Sequence, residues 1–241
     1  MSTIASQTGK NILLETQHLT KVYAGAQPVY AIRDINLIVH EGEFLAVIGP
    51  SGSGKSTLMN VLGLLDRPSD GVLSYHDEDT RQWKEAKRSQ FRNREIGFIF
   101  QAHMLLPEFT ALENVLIPSR IGNTYGAKAI ASATEILVRI GLEDRMHHTP
   151  SELSGGQNQR VAIARALVNN PRIVFADEPT GALDSKTGES VYELMREINQ
   201  QDGVTFMIVT HERTLAAKAD RIVSLLDGCV QSDERAAPEH A

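Results

Sequence analysis

Four short runs along the chain are apolar without interruption: Phe44–Ile48, Ile96–Phe100, Ile173–Ala176 and Phe206–Val209. Each is rich in Val, Ile and Phe and stops at polar or Gly-rich residues. A strand with one wet face alternates, so continuous apolarity predicts strands buried on both faces, in a mostly parallel sheet. Helical patterns lie between them. Val191, Leu194, Met195 and Ile198 recur at i, i+3, i+4 and i+7 behind Ser185, which reads as an N-cap. Ala133, Ile136, Leu137 and Ile140 repeat the stripe, with Gly141 as the stop. The first forty residues differ, since Leu13–Tyr23 and Ile32–His40 read as a hairpin-like β segment. From about Thr80 to Ser154 the pattern is mainly helical and predicts an inserted lobe. Ser232–Ala241 is polar and reads as a loose tail.

Composition narrows the class. With 241 residues, 41% of them hydrophobic, the chain suits one large domain with a sizeable core. A balance of 24 Lys+Arg against 30 Asp+Glu gives a net charge of −6, which disfavours a nucleic-acid partner. Cys229 is the one cysteine, so an intrachain disulfide and a cysteine-clustered metal site are excluded, and a reduced, cytoplasmic setting fits. The longest stretch without a charged residue, Ile96–Pro107, is shorter than the ~20 apolar residues a spanning helix needs. Met1–Asn11 is polar and lacks the apolar core of a secretory signal. A membrane role is therefore expected to come through a partner.

Three motifs carry chemistry. Gly49-Pro50-Ser51-Gly52-Ser53-Gly54-Lys55-Ser56, followed by Thr57, stands between a predicted strand and a predicted helix. Its glycines let backbone N–H groups curl round a phosphate, and the helix N-terminus adds its positive end. Lys55 can reach the β- and γ-phosphates, and the Ser56 hydroxyl can sit on Mg²⁺. Asp177 and Glu178 end an apolar strand, which places them at the sheet edge where the phosphate loop opens. Asp177 suits a water-held Mg²⁺, and Glu178 suits orienting or deprotonating a water. Leu153-Ser154-Gly155-Gly156-Gln157 makes a second anion site at a helix start, with no lysine. Two phosphate cradles in one chain make sense if the second serves a neighbour's nucleotide. By residue pattern alone, Tyr23 reads as a packed aromatic and His211 as either a strand-end or a site residue. His147 and His148 read as loop histidines, and Lys84, Lys87, Arg88, Arg92 and Arg94 as a solvated helix face.

In this order the three motifs resemble the ATP-binding subunit of an ABC transporter, over about Leu13 to Leu226. The resemblance implies an α/β fold: a RecA-like P-loop core with a mostly parallel sheet, an antiparallel β subdomain and an inserted α-helical lobe. It divides one domain, 1–241, into a core with its β subdomain (1–80 and 155–231), a lobe (about 81–154) and a tail (232–241). Tyr23 then stacks on adenine, and Gln101 senses Mg²⁺ and the attacking water. Ala182-Leu183-Asp184 lies across the dimer interface, and His211 contacts the γ-phosphate. Two Mg-ATP are sandwiched in a homodimer, each between Gly49–Thr57 of one protomer and Ser154–Gln157 of the other, with Ser56, Gln101 and Asp177 at the metal. An integral membrane permease subunit with a periplasmic domain is the expected partner, and the cytoplasmic face of the inner membrane the expected place. Phe100–Val115, Leu64–Pro68 and Pro179–Ser185 are similar to the lipoprotein-releasing and macrolide-export group, although Asn158 stands where a second glutamine is usual. The competing expectation is a division-type ATPase acting as a transmembrane switch without cargo. A DNA-repair relative would separate the two cradles by a long coiled coil, and a translation relative would carry two cassettes. Neither fits the spacing from Lys55 to Ser154 in a chain of this length.

Overall fold

The structure, a computed structural model, describes residues 11–235. The chain opens with β1 (Ile12–Tyr23), β2 (Val29–His40) and β3 (Phe44–Ile48), then α1 (Lys55–Leu62). Next come β4 (Asp70–Tyr75), β5 (Glu78–Asp79), α2 (Glu85–Glu95) and β6 (Ile96–Phe100). Three helices follow, α3 (Ala111–Ile121), α4 (Ala127–Arg139) and α5 (Gly155–Leu167). The chain then runs through β7 (Ile173–Asp177), α6 (Ser185–Asp202), β8 (Thr205–Val209), α7 (Arg213–Ala216), β9 (Arg221–Leu226) and β10 (Cys229–Arg235).

Two sheets form. The six-stranded sheet has the order β10-β9-β3-β8-β7-β6, parallel throughout except for β10. The four-stranded sheet, β2-β1-β4-β5, is antiparallel. The continuous apolar runs are explained by two cores, one on each face of the parallel sheet. Phe44, Ala46, Val174, Ala176, Phe206 and Ile208 enter the core shared with α3–α6. Their neighbours Leu45, Val47, Ile173, Phe175, Met207 and Val209 enter the core shared with α1 and the antiparallel sheet. Successive side chains point to opposite faces, so a strand with both faces covered has no polar position to spare.

The structure revises four details. The cap of α6 is Asp184, one residue before Ser185, and its carboxylate accepts from Thr187 N at 3.1 Å. Residues 81–154 do not all leave the sheet: β6 pairs in parallel with β7, so the helical excursion begins after Phe100. Ser232–Arg235 is strand, paired with β9 from Ser224 to Arg221, and the rest of the expected tail lies outside the described residues. The basic cluster is only in part a solvated face: Lys84, Lys87 and Arg94 are exposed, but Arg88 and Arg92 are not. Arg88 is buried and donates to the carbonyls of Leu64 and Asp66, and Arg92 donates to Leu64 O at 2.8 Å. Lys87 is engaged by Glu78. These guanidiniums satisfy the carbonyls of the turn that follows α1, where Leu64 takes a positive φ of 60°. Gly141, at φ +73°, does end the helix before it. Among the described residues no helix is long and apolar enough to cross a membrane.

Candidate functional site

The loop between β3 and α1 is shaped by its glycines. At Gly54 (φ +99°) a Cβ would stand 2.2 Å from Ala31 O, and at Gly49 (φ +156°) 2.3 Å from Leu225 O. Neither a side chain nor its backbone conformation is available to another residue there. The loop is thus pressed onto the start of β2 and the end of β9. Gly54 is the N-cap of α1 and offers no side-chain acceptor, and the first turn of α1 carries no acid. The orphan N–H groups and the positive end of the helix dipole therefore face outward, ready for an anion. Lys55 Nζ folds back to donate to Gly49 O (2.8 Å) and Pro50 O (2.9 Å), and Ser53 Oγ is buried without a partner.

Opposite the loop stands the end of β7. Its register with Phe100 on one side and Val209 on the other fixes Asp177 at the carboxyl edge of the sheet. Burial pushes the Asp177 carboxyl above its ordinary range, against the opposing pull of a hydrogen bond from Ser56. Glu178 takes φ +47°, costly for a non-glycine residue, with its N–H donating to Val209 O at 2.9 Å. One carboxylate oxygen, Oε1, lies 2.9 Å from His211 Nδ1, while Oε2 is buried without a partner. The bond to Glu178 raises the His211 pKa above its ordinary value although the ring is largely exposed.

These groups surround one cleft of about 480 Å³, lined by residues 29–31, the phosphate loop, Asp177, Glu178 and His211. A larger cavity of about 600 Å³ lies away from them, where α4 meets the start of β7 and β8. The smaller cleft is the chemical one, since it alone gathers the anion cradle and the carboxylates. It fits a polyphosphate with a hard divalent ion. It offers backbone and lysine donors, a buried hydroxyl in want of a partner, and a Ser56–Asp177 pair of oxygen ligands. No group of three or more His, Cys, Asp or Glu able to hold a metal occurs among the described residues. A cation here would draw its remaining ligands from phosphate and water.

Other expected site residues stand elsewhere. Tyr23 does not line the cleft; it is 41% exposed, its hydroxyl donates to Asp66 at 3.1 Å and Lys21 lies over its ring. The aromatic on the cleft wall is Tyr30, with Arg33 stacked 5.0 Å from its centroid. Sequence reasoning passed over Tyr30; only the contact of Gly54 with Ala31 shows that the start of β2 meets the phosphate loop. Gln101 follows β6 and packs against Gly181, where a Cβ would come within 2.9 Å of its amide nitrogen. Ser154 caps α5 by accepting from Gln157 N, and Gln157 answers by accepting from Ser154 N. Gly155 and Gly156 pack on Leu183 and Thr187. Ser154–Gln157 and Asp184 are thus neighbours of one another and absent from the cleft that holds Lys55.

With this geometry in place, comparison with known proteins is direct. A family model described as ABC transporter matches residues 32–181. The lipoprotein-releasing system ATP-binding protein LolD of Shewanella sp. (strain MR-4) is 49% identical over 96% of this chain and 99% of that one. Its counterpart in Geobacter metallireducens is 50% identical over 92% and 99%. A solved structure, the dimeric post-hydrolysis state of the ATP-binding cassette MJ0796 bound to ADP and Pi, superposes with a TM-score of 0.85. It is 42% identical and covers 94% of this chain and all of that one.

Proposed function

The chain belongs to the ABC transporter family as an ATP-binding, ATP-hydrolysing subunit, and from that premise we propose how its residues divide the work and what it powers. The observation that carries the reading is the separation just described: loop, Asp177 and Glu178 share one cleft, while Ser154–Gln157 lies on another surface. A complete site then needs the phosphate loop of one protomer and the signature segment of a second.

The backbone N–H groups of residues 51–56 and the Lys55 ammonium hold the phosphates, with Lys55 exchanging its two carbonyl partners for phosphate oxygens. Ser56 and Asp177 would hold Mg²⁺, which when bound would supply neutralisation of the charge that develops on the leaving diphosphate. Glu178 orients the attacking water through its unpartnered Oε2 and takes its proton as the new P–O bond forms and the β,γ-bridging bond breaks. His211, held by Oε1, turns its second ring nitrogen and its raised pKa toward the γ-phosphate. Closure of the second protomer excludes water and strengthens each of these contacts. ADP and phosphate leave, and with them the charge that bridged the protomers.

The proposed work is lipoprotein release, the activity in the names of the relatives, through a membrane partner with a periplasmic domain. Support for a docking surface comes from the segment after β6. Met104 (59% exposed) and Ile121 (72% exposed) border a cavity of about 400 Å³ floored by Phe98 and Phe100. Tagged chain purified from detergent-extracted membranes should bring down one integral membrane protein with a periplasmic domain. Met104→Glu should lose it while keeping ATP affinity. Recovery of a partner without such a domain would turn the reading toward a different member of the family.

A further inference from the structure

The hairpin of β9 and β10 carries a contact that its own geometry does not need. Asp227 and Gly228 form the two-residue turn between the strands, with Leu226 paired to Cys229 across it. Both take positive φ, 49° and 80°, the conformation that suits an Asp-Gly turn of this length. Such a tip ordinarily stands in water. Asp227 does so, but Gly228 is buried. Its N–H donates to Ser53 O in the phosphate loop at 3.1 Å, and its carbonyl accepts from Arg33 N at 2.8 Å. A Cβ at Gly228 would stand 3.0 Å from Ala31 O, the same carbonyl that closes on Gly54. The turn, the start of β2 and the phosphate loop therefore meet backbone to backbone.

This contact sets a direction. In a trans peptide the C=O and the following N–H point opposite ways. Holding Ser53 O toward the turn thus aims the Gly54 N–H away from it, on the side of the cleft that Gly54 lines and Gly228 does not. Among the described residues the Gly54 N–H has no acceptor of its own. We propose that Gly228 is a positioning residue of the nucleotide site. Its N–H, fixed by the turn, sets the Ser53–Gly54 peptide so that the Gly54 N–H meets a phosphate oxygen. The cradle then draws on a hairpin far outside the glycine-rich motif. This role rests on the reading of the loop as the seat of the phosphates.

The test uses the full chain, with Mg-ATP and Mg-tripolyphosphate as separate probes in equilibrium titration. Gly228→Ala adds a Cβ at positive φ against Ala31 O, which pushes the turn off Ser53. Binding of both probes should weaken about tenfold, as for one misaimed hydrogen bond to a charged acceptor. Gly228→Asn carries the same Cβ on a residue that takes positive φ more readily. It should recover the melting temperature of the parent chain and not the affinity. In ¹⁵N spectra the Gly54 amide should move downfield when tripolyphosphate is added to the parent, and much less in either variant. Parent affinity for both probes in Gly228→Asn would make the residue structural and overturn the proposal. Affinity lost for ATP but kept for tripolyphosphate would trace the effect to the wall formed by β2, and overturn it as well. A parent chain whose Gly54 amide moves with neither probe would sink the reading of the loop itself, and the role with it.

Discussion

Glu178→Gln should all but abolish turnover and leave ATP binding intact. The substitution is nearly isosteric, so φ +47° at this position and the bond from its N–H to Val209 O are kept. What is lost is the carboxylate that accepts the water's proton. Acid–base help of this kind is worth ~10²–10⁴ in rate, or about 3–5 kcal/mol of barrier. If the γ-phosphate draws two protomers together as proposed, a variant that cannot remove it should accumulate as the ATP-bound dimer. Asp177→Asn differs: it weakens the grip on Mg²⁺ and with it ATP-driven dimerisation. The same variant reports on His211. Pairing with Glu178 raises the His211 pKa, so the pair's contribution is complete below the ordinary value near 6.5 and fades as pH rises through the raised one. In an NMR titration of the ring, Glu178→Gln should bring the midpoint back down. Steady-state hydrolysis and size exclusion with ATP check the rest. Turnover near the wild-type rate would take the water-activating role from Glu178.

Lys55→Ala should lower ATP affinity sharply. Lys55 is the one lysine or arginine on the cleft wall, and its partners without nucleotide are two neutral carbonyls. Exchanging these for phosphate oxygens is favourable because charge-assisted hydrogen bonds contribute about 1.5–3 kcal/mol where neutral ones contribute about 1. Removing the ammonium should therefore weaken binding by about 10–100-fold, at roughly 1.4 kcal/mol per decade. The loop itself should survive, since Gly49 and Gly54 fix its path by their contacts with Leu225 O and Ala31 O. Equilibrium titration with a fluorescent ATP analogue, beside circular dichroism of the variant, separates the two. Wild-type affinity would refute the assignment of Lys55 to the phosphates.

The strand–loop–helix around Lys55 and the strand ending at Asp177 were legible in the sequence because local patterns determine them. Four apolar runs gave β3, β8, β7 and β6, the contiguous parallel strands that carry the site, and the glycine spacing gave the cradle. What escaped the reading depends on contacts between distant segments. Tyr30 reaches the cleft wall only because Gly54 allows the loop to press on Ala31, twenty-three positions earlier. Arg88 and Arg92 look like solvated charge until the carbonyl of Leu64, left open by its positive φ, is brought to them. Asp184 and Ser185 are both good N-caps, and the choice between them turns on a single backbone angle. The positive φ of Met104, 50° and next to that of His103 at 57°, has no sequence signature, since methionine does not favour that region.

The central claim is that each nucleotide is held by two chains, and crosslinking tests it most directly. Ser51→Cys is placed in one chain and Gly155→Cys in a second of different mass, both carrying Glu178→Gln and Cys229→Ser. A short bismaleimide should join the two chains with ATP and Mg²⁺ present and leave them separate without nucleotide. A single chain carrying both cysteines that closes on itself, while mixed chains stay unlinked with ATP, would contradict the account.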